Sequence, residues 1–473
     1  MPDEFDQSAV NEDVLTQGSE VGDLAMGLFG TYVEVPYGKP AEMAAATTQL
    51  MDAGTPIIAE ASFSYEGQFC SVDILINKGN RHVEIYEVKS ATHVNEIYLH
   101  DVAYQTHVLQ RLGYTVERVC IVHINPDYVR RGDLNLKELF TVADITNKAM
   151  LLQQDVARLI GFLGPYLARQ DEPEQAIGLH CTAPYECGFW RYCTRELPSP
   201  NIFDLSSVQK NTKFKNFQQG IVSFEDIEAR GKLNAGAMLQ VRHELHDGGD
   251  EINKAKIAEF LGTLSYPLYF LDFETYQTAV PQYDDMKPYQ QIVFQYSLHY
   301  IEREGGELKH REFLAYPGRD PRREAAVRLC EDIPADACVM AYNMSFEKTR
   351  IKELAALYPD LAGHLTAIHD NIRDLMVPFQ QKHYYNRRMR GSYSIKYVLP
   401  ALFPDDPELD YHNLEGVHNG SEASATFSKM ADMDAGELER WRQHLLKYCG
   451  LDTYAMVKVW GKLRQVCCED DSV

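Results

Sequence analysis

Asp272 and Glu274 stand two residues apart at the end of an apolar run, SYPLYFLDFET. Side chains alternate along a strand, so both carboxylates point to one face. A run this apolar reads as a central strand of a layered α/β sheet, buried on both sides. Two carboxylates held together there are costly unless a cation neutralises them. The chain therefore needs an α/β unit that brings this strand to further charged groups, and three later segments offer them. A second strand, ACVMAYN, ends at Asn343, and Glu347 follows in NMSFE at the start of a predicted helix. Tyr448 and Asp452, in YCGLD, are four residues apart on a last helix near Trp441 to Trp460 and share one face. Asp374, in RDLM, is either a supporting carboxylate or a helix-capping or surface residue. Four acids and a phenol are the inventory that holds two metal ions ~4 Å apart and positions a hydrolytic water. The competing reading is a set of scattered acids in an acidic chain.

At 473 residues the chain is about three times the ~150-residue prior for one domain, so two or three domains are expected. With 45% hydrophobic and 24% charged residues it has the material for full-sized cores. No apolar run approaches the ~20 residues of a membrane span. The start, MPDEFDQSAVNED, is acidic where a signal peptide is basic and then apolar, so a cytoplasmic location is expected. Lys and Arg number 46 against 69 Asp and Glu, a net charge of −23 that disfavours a simple groove-coating DNA binder or a membrane-surface protein. An enzyme that holds metals on carboxylates and grips nucleic acid through a local basic stretch is compatible with that charge. The best such stretch is NRRMRGSYSIK, where Arg387, Arg388, Arg390 and Lys396 are interleaved with Tyr393 and preceded by Tyr384 and Tyr385. Basic and aromatic side chains together suit the backbone and bases of a single strand, and the same stretch also fits a solvated loop.

From Ala44 to Asn125 the pattern is helix, strand, hairpin, helix, strand, an α/β core. A helical stretch, Asn147 to Leu167, leads to a Cys-containing segment from His180 to Cys193, and the PSP at Ser199 marks a break. The expected domains are residues 1–198, a polar helical connector over 199–261, and a second α/β unit over 262–473.

Within the first core, Asp73 lies in QFCSVDILIN, and Glu87 and Lys89 lie in HVEIYEVKSA. Glu87 and Lys89 share a strand face. If the hairpin loop is Gly79-Asn80-Arg81, Lys78 pairs with His82 and Asp73 falls directly opposite Glu87. Two carboxylates and an amine then converge, a geometry that can share Mg²⁺ or Mn²⁺ while the Lys orients a water or offsets phosphate charge. An ordinary amphipathic hairpin with its charges in water is the alternative. Glu60, in PIIAEASF, is a further acidic ligand or a solvated strand residue.

Ten Cys in a chain without a secretory signal read as thiols or metal ligands. Cys181, Cys187 and Cys193 are evenly placed in CTAPYECGFWRYC. They fit most of an iron-sulfur cluster, a zinc site, or a packed aromatic turn with free thiols. Cys467 and Cys468 lie in a polar tail and read as bystanders.

The order Asp73, Glu87-x-Lys89, then Gln105 on the next helix resembles the RecB-like branch of the PD-(D/E)XK nucleases, where these residues form the active centre. The cysteine segment is similar to the trailing three ligands of the [4Fe-4S] cluster in RecB-like nucleases of the CRISPR-associated type. No Cys precedes Cys70, which leaves the fourth ligand unidentified. D-x-E, N-x(3)-acid and Y-x(3)-D in that order resemble the DEDDy proofreading exonucleases of the ribonuclease H-like fold. That resemblance implies metal binding by Asp272, Glu274 and Asp452 and a water-orienting role for Tyr448. Glu347 stands where the pattern usually has Asp. VHINPDYVRRGDL, CTAPYECGFWRYC, YFLDFETY, YNMSFEKTRIKELA and GSYSIKYVLPALFP together resemble a bacterial domain-of-unknown-function family, number 2779, which joins the two regions.

These resemblances imply a Mg²⁺- or Mn²⁺-dependent nuclease with two active centres. The second domain is expected to trim 3′ ends and the first to cut or resect DNA, in repair or defence, with single-stranded DNA or DNA ends as partner. The competing expectations are a catalytically weakened end-binding or scaffold protein and an RNA-trimming exonuclease.

Overall fold

The computed structural model describes residues 2–6, 12–246 and 249–468. The chain is mixed α/β and divides into two compact units. The first comprises Met1–Ile177, Thr182–Gly188 and Gln277–Gln290, and the second Gly178–Cys181, Phe189–Tyr276 and Gln291–Val473. Among the described residues no helix is long and apolar enough to cross a membrane.

The first unit is built on a six-stranded sheet in sequence order: β1 (Val33–Glu34), β2 (Ile57–Tyr65), β3 (Gln68–Gly79), β4 (His82–Lys89), β5 (Thr115–Ile124) and β6 (Phe140–Asp144). β2, β3 and β4 form an antiparallel meander, whereas β4 and β5 are parallel and are linked through the helix Glu96–Arg111. A parallel pair needs such a crossover, which is why a helix follows the E-x-K strand. Asn95 starts this helix by accepting the Glu96 N–H at 3.1 Å. Alternation divides the strands between two cores. Ile58, Val72, Leu75 and Ile85 pack with Val102, Val108 and Leu109 of the crossover helix, while Ile74, Tyr86, Cys120 and Val122 pack with Val21 and Ala25 of the helix Glu12–Met26.

The β3–β4 hairpin corrects one register. Gly79 rather than Lys78 pairs with His82, and the turn is Asn80-Arg81, both at positive φ (52° and 62°). A bulge between Asn77 and Gly79 takes up the extra residue, so the pairs Ile74–Tyr86 and Leu75–Ile85 hold the expected register, and its continuation sets Asp73 opposite Glu87.

The second unit has a five-stranded sheet ordered β10 (Lys309–Leu314), β9 (Ile292–Ile301), β8 (Leu268–Tyr276), β11 (Cys338–Ala341) and β12 (Ile372–Asp374). β8 is central, antiparallel to β9 and parallel to β11. The 34-residue helix Ala435–Cys468 packs Met456, Val459 and Trp460 into the same core as Phe270 of β8 and Met340 of β11. A small pair, β7 (Glu251–Ile252) with β13 (Tyr384–Tyr385), completes the unit. Residues 199–261 hold several short helices and β7, and they have a small core of their own, formed by Ile202, Leu205, Phe224, Ile227 and Val241.

Candidate functional site

In the second unit, β8 carries Asp272 and Glu274 on one face, and the register with β9 shifts directly after Glu274. A bulge at that point bends the strand and re-aims its side chains. The last helix brings Tyr448, Cys449 and Asp452 to the same place. Asp272, Glu274 and Cys449 each offer a ligand atom within 4.8 Å of the others. Glu347 enters from the first turn of the helix Ser345–Leu357, and it is only 2% exposed. Its Oε2 is buried without a hydrogen-bond partner. The ten-residue helix Gly420–Lys429 begins beside the cluster, where a Cβ added to Gly420 would lie 3.4 Å from Glu274 Oε2.

The electrostatics follow from that crowding. Burial, then the charges of Asp452, Glu274 and Glu347, push Asp272 well above the usual carboxylate range. Glu274 is raised in the same way by burial and by Asp452 and Glu347, against a small opposing effect of Lys396. Burial lifts Glu347 to about 8. Burial also lifts Asp452, to about 6, while hydrogen bonds from the Tyr411 and Tyr448 phenols hold it down. Tyr411 donates to Asp452 Oδ1 at 2.5 Å, and the two phenol rings lie 6.1 Å apart. The unpartnered Glu347 oxygen and the raised carboxylates fit a bound cation.

Asp374 does a different job. Its carboxylate accepts the N–H groups of Asn343 (3.0 Å), Met344 (3.2 Å) and Met376 (2.9 Å), which fixes the turn that launches the Glu347 helix. Asn343 adopts φ 71° there, a left-handed conformation that Asn tolerates. Arg387, Arg388, Arg390 and Lys396 are all exposed, and Arg387 is paired with Glu244 at 3.2 Å. Lys396 lines a cavity of about 860 Å³ together with Phe403, Asp406, Tyr411, His412 and Asn419. Sequence reasoning missed Tyr411 and Cys449. Tyr411 opens a three-residue 3-10 turn, Tyr411–Asn413, with no motif around it, whereas Cys449 is three residues from Asp452 and helical spacing alone places it on that face.

In the first unit Asp73, Glu87, Lys89 and Gln105 come together. Asp73 Oδ2 accepts the Val88 N–H at 2.6 Å. Lys89 Nζ bridges Glu87 Oε1 (2.7 Å) and Asp101 Oδ2 (2.6 Å) and lies 5.5 Å from the Tyr98 ring centre. Gln105, 3% exposed, donates to Glu87 Oε2 (2.7 Å) and to the Ser71 carbonyl (3.1 Å). Gln105 thus orients Glu87. Asp101, one helical turn earlier, is a Lys89 partner that the sequence pattern did not single out. Burial raises Asp73 to about 7 and Glu87 to about 8, with mutual repulsion of the carboxylates adding to the Glu87 shift. Burial pulls Lys89 down, but Glu87 and Asp101 outweigh it and hold the ammonium above its usual value. Glu60 adopts φ 54°, and burial followed by Glu87, Glu34 and Asp23 raises its carboxyl. Its β2 neighbours Ala59 and Ala61 pair with Ile74 and Val72, so it falls opposite Asp73 in a row of three acids across three strands.

The cysteine segment is split between the units, Cys187 with the first and Cys181 and Cys193 with the second. Cys181 is buried, Cys187 half-buried and Cys193 exposed. Cys467 is half-buried near the Lys254 carbonyl, and Cys468 is exposed.

No curated protein and no solved structure matches the chain. Residues 269–394, which hold Asp272, Glu274, Glu347 and three of the four basic residues, match the family model for the domain of unknown function DUF2779.

Proposed function

We propose that this chain is a metal-dependent nuclease with two phosphodiester-hydrolysing centres, a ribonuclease H-like 3′–5′ exonuclease in the second unit and a RecB-like PD-(D/E)XK site in the first. The supporting observation is that four acids from three distant segments, Asp272 and Glu274, Glu347, and Asp452, share one buried place with raised pKa values and an unpartnered oxygen. The strand order of the second sheet, with β8 central and the last helix laid across it, is compatible with the ribonuclease H-like reading.

Asp272, Glu274, Asp452 and Glu347 would hold Mg²⁺ or Mn²⁺ in the second unit, and Asp73 and Glu87 in the first. Such an ion, when bound, acidifies an attacking water and offsets charge on the phosphate. The protein's own groups arrange the rest. Tyr411 and Tyr448 hold Asp452 ionised and oriented. Lys396, exposed at the cavity, meets the phosphate backbone of an entering strand, and the neighbouring arginines extend that contact. Lys89, braced by Glu87 and Asp101, is placed to position a water or a phosphate oxygen, and Gln105 fixes Glu87.

The proposal extends to DNA ends or single-stranded DNA as substrate and to repair or defence as setting. From the sequence resemblance the proposal also includes an iron-sulfur cluster on Cys181, Cys187 and Cys193, with a fourth ligand from elsewhere. Anaerobically purified protein should then be brown, and a colourless, iron-free preparation contradicts the cluster. The activity is tested with 3′-labelled and 5′-labelled single strands and Mn²⁺, comparing wild type, Asp272→Ala and Lys89→Ala. Asp272→Ala should stop loss of the 3′ label, and equal degradation by all three proteins rules the reading out. Strand binding without any cleavage by wild type points to a scaffold instead.

A further inference from the structure

Cys449 lies three residues before Asp452 on the last helix, so both project from one face. It is fully buried, and its Sγ is 3.9 Å from the Asp272 carbonyl oxygen and 4.0 Å from Asp272 Oδ2. Among the described residues, Asp272, Glu274 and Cys449 are the only three His, Cys, Asp or Glu side chains whose ligand atoms lie within 4.8 Å of one another. A second observation points to a ligand. Glu347, 2% exposed, keeps Oε2 buried without a partner, close enough for its charge to act on both Asp272 and Glu274. A thiol serves poorly as a hydrogen-bond donor to a carboxylate cluster, but as a thiolate it is a strong metal ligand.

We propose that Cys449 is a metal ligand and that Asp272, Glu274 and Cys449 form a site for a thiophilic divalent cation, Zn²⁺ by its chemistry. This rests on the nuclease reading, since the same two carboxylates would hold the catalytic ion. An all-oxygen set favours Mg²⁺ or Mn²⁺, and one sulfur shifts preference toward Zn²⁺. With metal–sulfur near 2.3 Å and metal–oxygen near 2.1 Å, a tetrahedral ion sets sulfur and oxygen about 3.6 Å apart. The 4.0 Å Cys449–Asp272 separation therefore needs a contraction of only about 0.4 Å, within side-chain freedom. Binding releases the thiol proton to solvent, leaving a thiolate on the metal. An ion held in this way occupies Asp272 and Glu274, so Zn²⁺ excludes Mn²⁺ and inhibits strand trimming.

Co²⁺ is the probe, because a thiolate bound to it gives a sulfur-to-cobalt charge-transfer band in the near ultraviolet. Metal-stripped full-length wild type, Cys449→Ser and Asp272→Asn are titrated with Co²⁺, and Mn²⁺ binding is measured calorimetrically on the same proteins. Wild type should show the band, Cys449→Ser should lose it with at least a roughly tenfold weaker Co²⁺ affinity, and its Mn²⁺ affinity should change less than about threefold. Asp272→Asn should weaken both metals. An undiminished band in Cys449→Ser assigns the signal to other thiols and overturns the proposal. Absence of the band in wild type that still binds Mn²⁺ overturns it too, leaving the nuclease reading intact, whereas failure of wild type to bind either metal removes both. Should Cys449→Ser not fold, wild type alone decides. Excess Mn²⁺ bleaches the band if the site is shared, and a band indifferent to Mn²⁺ contradicts the assignment.

Discussion

Tyr411 and Asp452 are joined by a 2.5 Å hydrogen bond between residues 41 positions apart, and this bond, with a second from Tyr448, keeps a buried carboxylate near pKa 6. Hydrogen bonds to charged groups contribute about 1.5–3 kcal/mol. Tyr411→Phe should therefore lower strand trimming about tenfold or more near neutral pH and move the acidic limb of the pH–rate profile upward. A drop of equal size at every pH would show that Tyr411 serves packing alone.

Asp272→Asn should abolish trimming and yet stabilise the metal-free protein, because it removes one charge from a crowded buried cluster. Calorimetry in chelator is expected to give a Tm higher by about 2–6 °C, corresponding to about 1–2 kcal/mol. Saturating Mn²⁺ should raise the wild-type Tm by more than the variant's, whose remaining gain comes from the Asp73–Glu87 site of the first unit.

The pH dependence of stability has a definite sign. Asp73 (about 7), Glu87 and Glu347 (each about 8) have folded-state pKa values above their unfolded ones. The native state thus binds more protons than the unfolded chain between roughly pH 4 and 8, and stability falls as pH rises through that window. In chelator the Tm should be lower at pH 8 than at pH 5.5, by about 5 °C or more, and Mn²⁺ should erase most of the difference. A metal-free Tm that rises across this window contradicts the buried-acid account.

Gln105→Ala removes the donor shared by Glu87 Oε2 and the Ser71 carbonyl. Leaving buried acceptors unpaired costs about 1–3 kcal/mol, so cleavage by the first unit should fall about tenfold while 3′ trimming by the second is unchanged. Assays in Asp272→Asn and Lys89→Ala backgrounds separate the two activities.

Much of this arrangement could be read before the fold was known, and the reasons differ by residue. Strand pleating alone put Glu87 beside Lys89 and Asp272 beside Glu274. The Asp73–Glu87 register survived an incorrect turn because a bulge at Asn77–Gly79 offset the shorter Asn80-Arg81 loop. Periodicity does not reveal bulges, since they insert one residue without changing the apolar pattern on either side. Tyr411 was invisible because a three-residue 3-10 turn is too short to carry a period, and Asp374 was ambiguous because a cap and a ligand have the same side chain. The small core under residues 199–261 escaped notice because Ile202, Phe224 and Val241 are spaced too widely to form one run.

The most direct test of the account is anomalous scattering from crystals of the full-length protein grown with Mn²⁺. The account predicts a manganese peak between Asp272, Glu274 and Asp452 in the second unit and another between Asp73 and Glu87 in the first. Well-ordered carboxylates at both places with no peak beside either would contradict it.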